Sequence, residues 1–193
     1  MKAPIDFYFD FSSPYGYLAS HKIEPLAAKY GRGVTWRPIL LGVAFKATGA
    51  VPLPNIPLKG DYAKRDFLRS ARFHGIAFRM PEPFPIPTVA PCRAFYSLKD
   101  AQAQVELAKA LLRAYFVENI NIGEADNVLK VAAALGCKPD LNDQAVKDRT
   151  RAEVEAALTR GVFGSPYIVV DGEPFWGLDR FDQIERWLSR GPF

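Results

Sequence analysis

The chain has 193 residues, 49% of them hydrophobic, and its 25 Lys and Arg against 21 Asp and Glu leave a net charge of +4. That length supports one substantial core and is short for two independent domains, while the positive charge is scattered without a dense Lys/Arg run, so a nucleic-acid partner is not expected. Cys92 and Cys137 share neither C-x-x-C nor metal-ligand spacing, two cysteines are too few for a disulfide framework, and no apolar stretch reaches the roughly 18 to 20 residues that span a bilayer; the chain reads as a soluble protein of a reducing, cytoplasmic compartment.

Met1-Lys2-Ala3-Pro4 runs directly into a strand, with no ordered n-region, apolar h-region and cleavage site, so no secretion signal is expected. The alternation Ile5-Asp6-Phe7-Tyr8-Phe9-Asp10-Phe11 predicts a buried first strand, and Tyr15 to Tyr30 carries mostly helical spacing that stops at Gly31 and Gly33. Val34-Thr35-Trp36-Arg37-Pro38-Ile39 predicts a second strand, with Pro38 pointing to fraying or to an edge there, so residues 4–40 read as a βαβ unit. Leu41 to Asn55 reads as a Gly/Pro-rich loop, Tyr62 to Gly75 as a helix, and Met80 to Pro91, with five prolines, as a rigid loop. Four helical patterns follow: Arg93 to Lys99, Ala101 to Glu118, Glu124 to Leu135 and Asn142 to Thr159. Tyr167 to Val170 and Glu173 to Trp176, joined by Asp171-Gly172, predict a hairpin with a type I′ turn, after which Asp179 can cap a last amphipathic helix. The βαβ and ββα ends together have the layout of a thioredoxin-like α/β fold (residues 1–40 and 160–193), interrupted by an all-helical insertion (41–159).

Three segments could carry chemistry. In Ser13-Pro14-Tyr15-Gly16, at the strand-to-helix junction, the first and fourth places are those of the two sulfurs in a Cys-Pro-x-Cys redox motif, and neither is sulfur, so disulfide exchange is excluded. A helix start favours an anion, and a serine hydroxyl there suits another molecule's thiolate. The same residues also make an ordinary helix start, with Ser as cap and Pro at the first helical position. In Phe163-Gly164-Ser165-Pro166-Tyr167 a proline precedes a strand; a cis bond at Ser165-Pro166 would turn the Ser165 backbone outward to pair with an extended peptide. In Trp176-Gly177-Leu178-Asp179-Arg180 a hairpin end runs into a helix start, read either as a Gly turn with an Asp cap or as a site where helix N–H groups hold a carboxylate and Asp179 an ammonium. His21 and His74 lie on different segments without companion ligands, so no metal is assigned, and Cys92 reads as a packed thiol.

Taken together, DFYFDFxSPYxYLA, FGSPY and WGLDRF resemble the 2-hydroxychromene-2-carboxylate isomerases and the related kappa-class glutathione transferases, in the expected order from end to end. The resemblance implies a thioredoxin fold with a helical insert, a homodimer and bound glutathione. By motif position it makes Ser13 the catalytic residue that keeps the glutathione sulfur ionised, Ser165 and Pro166 the peptide-gripping pair, and Trp176, Gly177, Leu178 and Asp179 the γ-glutamyl site, with Arg180 beside it. Asn55 and Lys59 resemble residues near the organic substrate, and Phe84 is a candidate wall for it, although turn chemistry, a solvated charge and core packing account for these three as well. Ala50 and Leu178 stand where these families often carry an asparagine and a small polar residue. The implied function is glutathione-dependent isomerisation of 2-hydroxychromene-2-carboxylate to trans-o-hydroxybenzylidenepyruvate in aromatic degradation, on an aromatic pyruvate-type substrate. The alternatives are a kappa-like transferase or peroxidase and a thioredoxin-like peptide-binding protein without catalysis.

Overall fold

The computed structural model describes residues 3–193; Met1-Lys2, where the absence of a secretion signal was read, lies outside the described residues. In chain order the elements are β1 (Ile5–Phe9), α1 (Pro14–Lys29), β2 (Val34–Pro38), α2 (Leu41–Thr48), α3 (Lys59–Phe73), α4 (Val89–Ser97), α5 (Ala101–Phe116), α6 (Ala125–Ala134), α7 (Gln144–Thr159), β3 (Tyr167–Val170), β4 (Glu173–Trp176) and α8 (Phe181–Arg190). The strands form one sheet in the order β2-β1-β3-β4, with β1 parallel to β2 and antiparallel to β3. Both ends of the chain therefore share the sheet, and the helices α2 to α7 are inserted between β2 and β3.

The strand alternation explains how the sheet is covered. Ile5, Phe7 and Phe9 on β1, with Trp36, Ile168 and Val170 beside them, join one buried cluster with Leu18 and Ile23 of α1 and Ile184 of α8. Tyr8 points the other way and packs with Ile39, Ala157 of α7, Val162 and Tyr167. With apolar contacts on both faces, β1 has the nearly continuous hydrophobic run of a fully buried strand. The first cluster continues without a break into the inserted helices through Phe11, Phe95, Leu107, Leu111 and Phe116.

At the hairpin, Asp171 and Gly172 both have positive φ, 53° and 90°, as the expected type I′ turn requires. β2 lies at the sheet edge, where Pro38, lacking an N–H, costs no ladder bond to a further strand.

Three local expectations are corrected. Leu41–Thr48 is a helix rather than loop; Gly49, with φ 73°, is its left-handed stop, and a 3-10 turn follows over Leu53–Asn55. The helix expected from Arg93 begins at Val89, because Pro91 falls in the first turn, where a missing N–H costs no helical bond. Asp179 does not cap α8: a 3-10 turn over Leu178–Arg180 comes first, and α8 starts from Arg180 without a side-chain cap. Among the described residues, no helix is long and apolar enough to cross a membrane.

Candidate active site

α1 begins where β1 ends, and Ser13 is its N-cap: the Ser13 Oγ accepts the Gly16 N–H at 3.0 Å, and its carbonyl accepts the Tyr17 N–H. Pro14 has no N–H, and at the second helical position the Tyr15 N–H has no carbonyl within the helix to reach. The positive end of a 16-residue helix thus sits behind Ser13, which is 6% exposed.

The three sequence motifs meet here through hydrogen bonds between residues far apart in the chain. The Ser13 hydroxyl donates to the Ser165 carbonyl at 3.1 Å. Ser165-Pro166 is a cis peptide bond, and the Pro166 carbonyl accepts the Gly177 N–H at 3.1 Å. The Asp10 N–H in turn donates to the Ser165 Oγ at 3.0 Å. Ser13, Ser165, Pro166 and Gly177 form one contiguous site. Among the described residues, the Ser165 N–H has no hydrogen-bond acceptor, so a half-exposed donor and its neighbouring carbonyl stand at the site's edge.

Two glycines are set by close approach. A Cβ at Gly16 would lie 2.5 Å from the Ser165 Oγ, so the fourth motif position admits no side chain while Ser165 stays where it is. A Cβ at Gly164 would lie 2.3 Å from the Trp176 Nε1; the indole lies over this glycine and packs edge-on against Phe163 at 4.9 Å, leaving Trp176 55% exposed. Gly177, at φ 114°, takes a conformation that L side chains rarely adopt. Beside it the Leu178 side chain is buried in the core, so only its backbone can face a ligand. Asp179 and Arg180 pair with each other at 2.9 Å on the surface. Arg180 and Trp176 also line a cleft of about 310 Å³ between β4 and α8, lying towards Trp187 and Phe193.

The candidate substrate residues form a second group. Asn55 ends the 3-10 turn and Lys59 begins α3, both exposed, and the turn packs tightly on Gly60, where a Cβ would lie 2.2 Å from the Pro54 carbonyl oxygen. No hydrogen bond joins Asn55 or Lys59 to the Ser13 cluster among the described residues. Phe84 packs against the core and meets Phe67 of α3 edge-on, with ring centroids 6.3 Å apart. Phe67 is itself 4.9 Å from Tyr15, so an aromatic chain leads from the start of α1 to the proline-rich loop.

Two acids that sequence reasoning passed over organise the site. Asp10 is 3% exposed; one carboxylate oxygen accepts the Ser12 N–H at 2.7 Å, the other the Leu41 N–H at 2.8 Å and the Thr88 hydroxyl at 3.0 Å. Burial pushes its carboxyl above the usual range, against the pull of those three donors. Its signal in the sequence is an acid between Phe9 and Phe11, directly after a strand buried on both faces. Asp66 of α3 accepts the Tyr15 hydroxyl and is paired with Arg69. Burial acts to raise the Asp66 carboxyl, but the hydrogen bonds from Tyr15, Arg69 and Ser70 outweigh it and hold the group below its ordinary value. The Tyr15 phenol is raised, first by burial and then by Asp66. Cys92 is buried as expected, and burial, then the neighbouring Asp10, push its thiol up, which makes it a poor nucleophile. Among the described residues, no three His, Cys, Asp or Glu side chains converge in a metal-binding group.

Residues 4–189 match the family model of the DSBA-like thioredoxin domain. The chain is 31% identical to a 2-hydroxychromene-2-carboxylate isomerase of Pseudomonas putida over 96% of its length and 94% of the relative's. It is also 31% identical to the enzyme of that name from Sphingobium xenophagum, over 97% of this chain and 99% of the relative, and 26% identical to glutathione S-transferase kappa 2 of Caenorhabditis elegans, over 98% and 92%. A solved structure of a 2-hydroxychromene-2-carboxylate isomerase superposes with a TM-score of 0.87 at 28% identity, covering 96% of this chain and 94% of that one. With its fold, the Ser13 to Gly177 cluster and these relatives in agreement, the chain belongs to the 2-hydroxychromene-2-carboxylate isomerase family of DsbA-like thioredoxin-domain proteins.

Proposed function

We propose that this protein is a glutathione-dependent cis–trans isomerase acting on 2-hydroxychromene-2-carboxylate or a closely related aromatic pyruvate-type compound. The observation that carries the reading is the hydrogen-bonded cluster of Ser13, Ser165, Pro166 and Gly177, which joins a hydroxyl at a helix start to an unpartnered backbone donor. That donor set fits glutathione: the Ser165 N–H and carbonyl suit its peptide backbone, the α1 N-terminus suits an anionic sulfur, and the backbone around Gly177 and Leu178 with Asp179 suits its γ-glutamyl end. When bound, glutathione would supply a nucleophilic sulfur that adds reversibly to a conjugated double bond, the bond about which cis and trans forms interconvert.

The chain's own residues then have defined tasks. Ser13 donates a hydrogen bond to the sulfur, and the helix dipole adds positive potential, so the thiol loses its proton to solvent at neutral pH. Lys59 and Asn55 hold the substrate's carboxylate and the negative charge that develops on its keto oxygen, and Phe84 lies along its ring. The reading extends to a cytoplasmic homodimer serving aromatic degradation, on the resemblance and on two cysteines without a disulfide. A second reading, conjugation or peroxide reduction by the same sulfur, is favoured by the similarity to kappa-class transferases.

One assay separates these readings. With 2-hydroxychromene-2-carboxylate and glutathione, isomerisation that regenerates all the thiol supports the proposal. Stable thioether or oxidised glutathione supports the second reading. No binding of glutathione overturns both and leaves a peptide-binding protein.

A further inference from the structure

The Ser13 hydroxyl has a single proton, and that proton is already committed. It lies between Ser13 Oγ and the Ser165 carbonyl at 3.1 Å, while one lone pair of the oxygen accepts the Gly16 N–H at 3.0 Å. A hydroxyl so held cannot also donate to a sulfur. The Ser165 carbonyl receives no other hydrogen bond among the described residues, so turning Ser13 away would leave a partly shielded acceptor unpaired, which is unfavourable.

We infer that Ser13 is gated by the Ser165 carbonyl. A ligand whose backbone N–H takes over that carbonyl releases the Ser13 hydroxyl to turn and donate to the ligand's sulfur. The exchange conserves hydrogen bonds: the amide N–H replaces the serine O–H on the carbonyl, and the serine O–H moves to the thiolate, a stronger acceptor because it is charged. Ser165 is thereby a specificity-determining residue acting through its main chain. Thiols with a peptide N–H one bond from the carbon that bears the CH2–SH group are activated, and thiols without it are bound unactivated. The unpartnered Ser165 N–H supports the geometry, since a ligand strand that donates to the carbonyl can also accept from that N–H. Gly16 keeps the hydroxyl close to its present partner, because its missing side chain lets the Ser165 side chain sit directly over the first turn.

This inference rests on the proposed thiolate role of Ser13, and its test separates the two. Thiolate absorbance in the ultraviolet is titrated against pH for glutathione bound to the full chain, and for the analogue whose γ-glutamyl–cysteinyl amide is replaced by an ester, each at saturation. The expected result is a thiolate fraction near neutral pH about tenfold or more above that of free thiol for glutathione, and within about twofold of free for the ester. In Ser13→Ala the two ligands should become equal and weakly activated, whereas Ser13→Thr, which retains a hydroxyl, should restore the difference. Equal activation of both ligands in the wild-type chain overturns the gate and leaves the thiolate role standing. Absence of activation for both overturns the thiolate role and the gate together.

Discussion

Ser13 has one observed task and one proposed task, and substitution can separate them. As an N-cap its hydroxyl satisfies the Gly16 N–H, so Ser13→Ala should cost about 1 kcal/mol of stability in urea denaturation. As the donor to a sulfur anion it should be worth much more in rate: Ser13→Ala is expected to lower turnover by about 10² or more, on the scale of an oxyanion-hole donor. A variant with the stability loss and full turnover would reduce Ser13 to a cap. The place of Ser13 at the start of α1 was legible, because a serine before a proline at a strand-to-helix junction has few structural solutions. The partners of Ser13 were not. Nothing in local spacing tells that the Ser165 carbonyl, 152 positions away, takes its proton, since that contact follows from how β3 pairs with β1.

At the level of elements, Asp10 ties three segments together: the turn before α1, the first residue of α2 and the residue before α4. Asp10→Ala leaves three donors without an acceptor in a buried site, so a loss of about 3 kcal/mol or more is expected, read from the denaturation midpoint and slope. The Tyr15–Asp66 pair joins α1 to α3 in the same manner. Tyr15→Phe should cost about 1–2 kcal/mol at pH 7, a value reduced from that of a fully buried charged hydrogen bond because Asp66 is partly exposed. The folded-state pKa of Asp66 lies below its unfolded value, so the contribution of this group is present above about pH 4 and disappears as pH falls through the folded value. The stability gap between wild type and Tyr15→Phe should therefore close on acidification, and a gap unchanged down to about pH 3 would refute this assignment. α2 escaped sequence reading because Gly42, Gly49 and Pro52 were weighed as loop residues, although Gly49 is the stop signal of the helix. Asp179 misled in the opposite direction: a residue type that favours caps stands in a turn whose geometry is set by Gly177.

Across the whole molecule, both ends of the chain were legible because strand periodicity and an Asp-Gly turn are local signals, and one sheet is the economical way to bury both strand sets. The packing of the insertion against them was not, because helical spacing gives each helix an apolar face without naming its neighbour. The result is a single buried cluster running from sheet to helices, with Cys92 inside it at 0% exposure and Cys137 partly exposed at its margin, packed against it. A thiol reagent in excess should modify Cys137 promptly and Cys92 only at the rate of large-scale opening, slowed further by conditions that stabilise the fold. Prompt modification of both would mean that the cluster opens locally around α4.

The bare backbone at Gly16 has a consequence for any attempt to convert this protein into an oxidoreductase. A cysteine at position 13 alone would furnish a sulfur able to attack a passing disulfide, keeping one half as a mixed disulfide and releasing the other as thiol, but no second sulfur to discharge it. Installing that second sulfur at position 16 drives its Cβ into the Ser165 hydroxyl, so a dithiol catalyst requires the residue 165 side chain to shift or be trimmed at the same time. The cysteine at 13 by itself waits on an outside thiol, and an internal route to turnover needs position 16 changed and the residue 165 side chain moved or removed.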